Sequence, residues 1–236
     1  MNYKIIMKKA LLIALIISLT NVYTFAQDDE PVTKGSYSML KFDALNLMGI
    51  GIQKLHLGYE VSPMKANPSN LPTLQFNLIV PFNSLNVMEM NYGIEGGAEL
   101  RFYQPRRNKK ELLAEGFYMG VGLDGGYSNF NKLDYYYSNF GANKEVDQEY
   151  SRVRTGIYFL SGAQTKLGDK LYFDVNVGLG WSNVDVKEVN PPADDPNFYK
   201  SPEREYNIFY ILYDEGKYQR FYMPVSFGIG YNFGNK

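Results

Sequence analysis

The most informative shortage in this 236-residue chain is that of cysteine, which is absent altogether. Without cysteine no disulfide framework can form, and no thiol is present to carry a lipid anchor. Histidine is nearly as scarce, because His56 is the only one. Zinc sites are built mainly from these two residue types. We therefore expect a protein without disulfides, lipid anchor or zinc centre.

An excess of charge of one sign is also lacking. The chain has 24 Lys and Arg residues against 25 Asp and Glu residues, for a formal net charge of −1. The basic cluster in residues 106–110 fits a solvated turn, so nucleic acid is not expected as a partner. Glycines in residues 93–97 and 120–122 fall in strand-like runs, where they reflect crowding and not phosphate binding. No cofactor is expected.

Acidic residues offer one alternative to a metal-free protein. Asp194 with Asp195, or Glu145 with Asp147 and Glu149, could hold calcium weakly, because calcium takes oxygen ligands. Acidic loop residues are usually solvated, however, and we expect no metal.

Long hydrophobic runs are missing except at the start. Residues 1–26 combine three early lysines, an apolar run from Ala10 to Leu19 and a small residue, Ala26, before acidic Asp28. This order is typical of a secretory signal peptide. The apolar run is shorter than the roughly 20 residues of a transmembrane helix, so we expect cleavage. Residues 27–35 would then be a short N-terminal segment and residues 36–236 one domain.

Aromatic residues and glycine are abundant instead, with 21 Tyr, 15 Phe and 22 Gly. Such a composition suits strands. In residues 171–182, for example, apolar residues alternate with Tyr, Asp, Asn and Gly, which is the period of two of a strand. Similar runs recur at about 37–47, 52–61, 73–82, 92–103, 116–127, 152–167, 171–182 and 220–233. The pattern predicts an all-β, antiparallel up-and-down barrel of eight strands, or ten if residues 206–213 form a hairpin at Gly216.

The charged residues on the polar face of these strands indicate which face lines the interior of the barrel. Charged residues are costly on a lipid face, so in a transmembrane barrel they must point into the lumen and pair with one another. We predict an interior charge network of Lys54, His56, Glu60, Glu95, Glu99, Arg101, Asp124, Arg152, Arg154 and Asp174. Aromatic residues near the strand ends would form interfacial girdles: Phe82, Phe102, Phe117, Trp181, Phe221 and Phe233.

An even strand count places both termini on the periplasmic side. The two longest connections, residues 130–150 and 187–218, then fall outside the cell, and a tight turn at 168–170 falls inside. We expect the outer connections to meet an unknown extracellular partner, with tyrosines such as those at 135–137 suited to binding.

Several short motifs carry a resemblance to known proteins: residues 41–47, Leu57-Gly-Tyr-Glu60, and Gly96-Gly-Ala-Glu-Leu-Arg-Phe-Tyr103 followed by a basic turn and Gly116-Phe-Tyr-Met-Gly120. Over residues 37–233 the chain resembles small outer-membrane barrels of the OmpA transmembrane-domain and OmpX type, and more narrowly a family of uncharacterised bacterial barrels. The resemblance implies a place in the outer membrane of a Gram-negative bacterium, surrounded by its lipid. A terminal strand ending at aromatic Phe233 is similar to the signal that barrel-assembly machinery recognises, although three residues follow it.

Two classes of function remain open at this point. The favoured one is a non-enzymatic envelope or surface protein with a polar, plugged lumen; the alternative is a narrow channel for small solutes. A lipid-modifying barrel enzyme would need a nucleophile beside His56, and no serine follows that residue. A soluble barrel that binds an apolar ligand would need the two faces inverted.

Overall fold

The computed structural model describes residues 38–45, 52–62, 72–84, 88–104, 115–138, 143–190, 198–200 and 213–233. The predicted signal peptide and the segment 27–35 lie outside these residues, as does the strand-like run 206–213 apart from Tyr213. The acidic pair at 194 and 195 lies outside them too.

The described residues form strands almost throughout. These are β1 (Ser38–Asp43), β2 (Ile52–Val61), β3 (Pro72–Ser84), β4 (Met88–Tyr103), β5 (Gly116–Ser138), β6 (Asn143–Lys166), β7 (Leu171–Glu188), β8 (Phe198–Lys200), β9 (Gly216–Tyr222) and β10 (Val225–Asn232). Within this part of the chain no helix is long and apolar enough to cross a membrane.

Each strand from β1 to β6 pairs antiparallel with the next, and β10 pairs with both β7 and β1 to close the barrel. β7 pairs with β10 along its first half and with β9 along its second. β9 and β10 are therefore two parts of one long strand, interrupted at Met223 and Pro224. Proline lacks the N–H that a continuous ladder requires, which explains the interruption.

The prediction of an eight-stranded up-and-down barrel is confirmed, because eight strand positions surround the lumen. β8 pairs only with Tyr136–Ser138 of β5 and adds nothing to the circumference. The alternative of a ten-stranded barrel is wrong for the described residues. The tight turn after β6 is also present, with the amides of Leu167 and Gly168 donating to the carbonyl of Leu171 at 2.9 and 3.3 Å.

Several strands are longer than the sequence predicts. β5 runs to Ser138 and β6 starts at Asn143, so the prediction of a loop over residues 130–150 is wrong: most of it is a paired hairpin. The predicted connection 187–218 agrees closely with the interval between the end of β7 at Glu188 and the start of β9 at Gly216, and it contains the short β8. The outward face of the extended parts of β5 and β6 carries mostly polar residues. The contrast between an apolar outward face and a polar lumen face, by which a strand is recognised in the sequence, is therefore lost there.

The two ends of the barrel differ. We call the end that holds Ser38 and Asn232 the terminal end and the opposite end, where β5, β6 and β7 extend furthest, the far end. Side chains alternate between the lumen and the outside along the barrel strands, as in the buried and exposed residues of β7, apart from irregularities at Gln53/Lys54 in β2 and Met90/Tyr92 in β4. Charged, amide and tyrosine side chains fill the lumen, whereas the outward side chains around the barrel are mostly apolar.

Candidate functional site in the barrel lumen

The lumen holds a buried cluster of five charged residues near the terminal end, which we call the terminal-side cluster: Lys41, Glu60, Glu99, Arg101 and Asp174. The Nζ atom of Lys41 lies 2.6 Å from Glu60 Oε2 and 2.5 Å from Asp174 Oδ2. Arg101 donates to Glu99 through Nε at 2.7 Å and to Asp174 through Nη1 at 2.8 Å. Two cations thus neutralise two of three carboxylates.

Neutral side chains donate the remaining hydrogen bonds to these carboxylates. Tyr118 donates to Asp174 Oδ1 at 2.7 Å, Tyr158 to Glu99 Oε1 at 2.9 Å and Tyr103 to Glu60 Oε1 at 2.9 Å. Asn77 adds a further bond to Glu99 at 2.8 Å, and Thr73 donates to Glu60. Because buried charges are tolerated only when paired and hydrogen-bonded, this arrangement accounts for an ionic core at nearly zero exposure.

A second group lies further along the lumen, and we call it the far-side cluster: Lys54, Glu95, Asp124, Arg152 and Arg154. Glu95 forms two ion pairs, one from Oε2 to Lys54 Nζ at 3.3 Å and one from Oε1 to Arg152 Nη1 at 3.4 Å. Arg154 pairs with Asp124, which also accepts a hydrogen bond from Tyr222 at 2.8 Å. Here three cations face two carboxylates, so the sign of the excess charge is opposite to that of the terminal-side cluster.

Arginine and tyrosine are also paired face to face in the lumen. The guanidinium of Arg101 lies 4.6 Å from the ring centre of Tyr118, and that of Arg154 lies 4.5 Å from Tyr222. Such contacts stabilise a desolvated cation through the negative face of the ring. Together with the ion pairs they fill the interior with side chains held in fixed positions.

An apolar group closes the far end, and we call it the plug: Met88, Met90, Phe130, Tyr150, Val184, Val186, Tyr213 and the partly buried Tyr218. Phe130 stacks on Tyr150 with ring centres 5.6 Å apart and meets Tyr213 edge-on at 5.3 Å. Tyr213 also covers Arg152, whose guanidinium lies 4.4 Å from the ring centre. The plug therefore separates the charged lumen from the far opening.

Lys200 on β8 connects β8 to the neighbouring strands at the far end through ion pairs and a hydrogen bond. It contacts Glu188 and Tyr150, and its Nζ lies 2.7 Å from Glu215 Oε2 and 3.0 Å from Asp134 Oδ2. Burial alone would lower the pKa of Lys200, but the hydrogen bonds that its ammonium donates to these groups raise the pKa well above its ordinary value. The ammonium is consequently charged at neutral pH, and it holds β5, β7, β8 and the segment before β9 together.

His56 contacts an acid, but not in the order that nucleophilic catalysis uses. Its Nδ1 lies 3.1 Å from Asp43 Oδ2, and the hydroxyl of Ser226 is hydrogen-bonded to the same aspartate. In a serine hydrolase the imidazole stands between the acid and the hydroxyl. Here the aspartate stands in the middle, so this geometry does not activate Ser226.

Two of the three carboxylates considered for calcium in residues 145–149 have other partners. Glu149 accepts a hydrogen bond from Asn129 at 2.7 Å, and Asp147 accepts one from Asn131 at 3.1 Å. The part of the chain that the structure describes contains no group of three or more acidic, histidine or cysteine residues arranged to hold a metal ion.

The structure places all ten residues of the predicted charge network in the lumen but distributes them over three groups. Glu60, Glu99, Arg101 and Asp174 join the terminal-side cluster; Lys54, Glu95, Asp124, Arg152 and Arg154 form the far-side cluster; His56 pairs apart from both. Sequence reasoning missed Lys41 and Asp43, which alternate with Leu40 and Phe42 in the short β1 and could have been found by that alternation. It also missed Lys200, for which the sequence carries no local signal.

Comparison with protein families, with curated proteins and with solved structures finds no match to this chain. The interpretation of the lumen and of the outer surface therefore depends on their own geometry.

Proposed function

We propose that the chain is an outer-membrane β-barrel protein of a Gram-negative bacterium, with a closed lumen and a non-enzymatic role at the cell surface. The observation that carries this proposal is that the distribution of polar and apolar side chains is the reverse of that in a soluble barrel. The interior of this barrel is charged, whereas its outward face is apolar: Ile94, Phe117, Leu123 and Leu179 expose between 57% and 67% of their surface. A ring of such residues is expensive in water and favourable in lipid.

The height of the apolar outward surface supports the proposed membrane location. On β5 the outward apolar residues run from Phe117 to Tyr127, and on β7 they run from Leu171 to Trp181. Roughly 9 to 11 residues of a tilted strand cross the hydrocarbon core. The six aromatic residues predicted as girdles belong to this outward surface, and Trp181 packs edge-on against Phe221 with ring centres 4.5 Å apart. Their places near the edges suit headgroup contact.

The outward residues change character at one level around the barrel. Trp181 pairs with Phe221, but the next outward pair is Asn183 with Gln219, followed by Asp185 with Lys217. On the neighbouring strands Tyr127 pairs with Val153, and beyond them Asn129 pairs with Ser151. We interpret this level as the outer membrane surface, which puts the plug and β8 above the bilayer and the chain termini in the periplasm.

The part above the bilayer is the surface we propose for an external partner. It includes the hairpin of β5 and β6 with exposed Leu133 and Tyr135, and exposed Tyr199 on β8. Tyrosine is favoured at protein interfaces because it combines apolar area with a hydrogen-bonding group. The filled lumen supports an anchoring role for the barrel in preference to the alternative of a narrow channel, since conduction would require ion pairs and the plug to move together.

Two measurements on the expressed protein test this proposal. Fractionation combined with electrophoresis of boiled and unboiled samples is expected to give a mobility shift in the outer-membrane fraction. Protein purified from that fraction and reconstituted in planar bilayers is expected to give no stable conductance steps. A soluble protein without a mobility shift would overturn the membrane proposal and favour a ligand-binding barrel. Stable conductance in a shifted protein would favour the channel.

A further inference from the structure

Three buried polar atoms lie unsatisfied near the boundary between the far-side cluster and the plug. They are Nε of Arg220, the hydroxyl of Tyr218 and the hydroxyl of Ser128, none of which has a hydrogen-bond partner among the described residues. Ser128 is fully buried. Buried donors without partners are rare in folded proteins and usually mark a bound water, ion or ligand.

Tyr218 and Arg220 lie on the same face of β9, and Tyr218 is close enough to Arg152, the strand partner of Ser128, to interact with it electrostatically. Tyr218 pairs with Val184, Arg220 pairs with Ser182, and Ser128 pairs with Arg152. The Tyr218 ring centre lies 5.3 Å from the guanidinium carbon of Arg220. The Tyr218 hydroxyl also interacts electrostatically with Arg152 and Arg220, and burial raises its pKa, so it stays protonated and can donate.

The charge around this position is positive. Arg220 adds a fourth cation to the three of the far-side cluster, against the carboxylates of Glu95 and Asp124. Glu95 is engaged by Lys54 and Arg152, and Oδ2 of Asp124 is engaged by Arg154 and Tyr222, whereas Oδ1 of Asp124 has no hydrogen-bond partner among the described residues. The remaining acid near Tyr218 is Asp214, and Lys132 pairs with it at 3.8 Å. Arg220 as a whole is half-buried, but its Nε is enclosed.

We propose that the barrel binds a small inorganic anion, of the size and charge of chloride, beside Arg220 Nε and the Tyr218 hydroxyl where the plug meets the far-side cluster, with Ser128 and Arg152 on the facing wall. Guanidinium and hydroxyl groups donate hydrogen bonds, and an anion satisfies several donors at once while offsetting the positive charge. The site does not depend on membrane location or on the surface role proposed above.

The first test uses bromide as the probe. Crystals of the detergent-solubilised protein grown or soaked in sodium bromide are expected to show an anomalous peak within hydrogen-bond distance of Arg220 Nε and the Tyr218 hydroxyl. A peak elsewhere only, or an ordered water at this position in bromide, would overturn the proposal.

The second test compares variants in solution. The thermal unfolding midpoint of the detergent-solubilised protein is expected to rise saturably with chloride, relative to gluconate at equal ionic strength. Tyr218→Phe keeps the ring but removes the donor, and it is expected to weaken the chloride dependence at least several-fold. Arg220→Gln is expected to abolish it.

Tyr222→Phe is the matched control, because the hydroxyl of Tyr222 on the same strand binds Asp124 and not the proposed anion. It is expected to lower the midpoint without changing the chloride dependence. An equal chloride dependence in the wild type, Tyr218→Phe and Tyr222→Phe would mean a general salt effect and would overturn the site. This conclusion stands even if Arg220→Gln fails to fold, because Tyr218→Phe changes one hydroxyl only.

Discussion

The ring of Tyr158 occupies the place where Gly122, its partner across β5 and β6, would carry a side chain. A methyl group added at Gly122 would lie 2.3 Å from Cζ of Tyr158. The same relationship joins Gly162 to Tyr118 and Gly180 to Tyr222. Glycine in these strands therefore makes room for the tyrosines that donate to the buried carboxylates.

Gly122→Ala is accordingly expected to destabilise the barrel by about 1–3 kcal/mol, as overpacking of a filled core does. The measurement is urea unfolding of the protein folded in detergent or lipid vesicles. Gly96→Ala is the control, because a methyl group there meets nothing closer than the carbonyl oxygen of Asn77 at 3.7 Å. Equal stability of the two variants would contradict the described packing of Tyr158.

Asp174 is the carboxylate on which the terminal-side cluster depends, since Lys41, Arg101 and Tyr118 all contact it. Asp174→Asn leaves two buried cations with less compensation and is expected to cost about 3–5 kcal/mol in the free energy of unfolding. Asp185→Asn on the same strand removes only exposed pairs with Lys187 and Lys217, so its expected cost is within about 1 kcal/mol. Similar losses in both variants would show that Asp174 is not an essential partner.

Much of the barrel could be predicted because outward-facing apolar residues alternate with lumen-facing polar ones. In β7 every second residue from Leu171 to Trp181 is apolar, and the polar residues between them face the lumen. The same alternation of apolar and polar residues ends beyond Tyr127 on β5, where Asn129 and Asn131 follow on the same strand face and form hydrogen bonds with Glu149 and Asp147. A strand with polar residues on its outward face has no contrast to detect, and the prediction there was a loop.

The partners within the lumen could be predicted as a set but not as pairs. Charges on one face must be paired, yet which cation meets which acid depends on the barrel's closure. Lys41 and Asp174 are 133 residues apart and meet because β10 brings β1 near β7. The partners of Lys200 could not be predicted from the sequence, because its contacts with Asp134 and Glu215 exist only once β8 is docked on β5.

Lys200 is expected to keep β8 docked over a wide pH range. Its pKa is raised in the folded protein, so the stability it contributes is fully present below the ordinary lysine pKa of about 10.4 and is lost as pH rises through the higher folded value. Lys200→Gln is expected to increase hydrogen exchange of the backbone amides in Phe198–Lys200. The difference from wild type should be constant, once corrected for intrinsic exchange, between about pH 7 and 9.5.

Lys187→Gln provides the comparison for this experiment, because Lys187 is exposed and pairs only with Asp185 among the described residues. It is expected to leave the exchange of β8 unchanged. A difference for Lys200→Gln that disappears already by pH 8 would contradict a raised pKa for that lysine. Unchanged exchange at every pH would mean that Lys200 does not hold β8 in place.

A pair of arginine substitutions on β7 tests the proposed membrane environment of the outward surface and the level at which that environment would end. Leu179 is 61% exposed and lies within the apolar surface, whereas Asn183 lies four residues further toward the far end. In lipid vesicles Leu179→Arg is expected to destabilise the barrel by about 2–4 kcal/mol and Asn183→Arg by about 0–1 kcal/mol. If the barrel instead stands in water, both arginines are exposed to solvent and both changes are expected to be nearly neutral. Urea unfolding from vesicles therefore separates a membrane barrel from a soluble one through two residues that share one strand and one face.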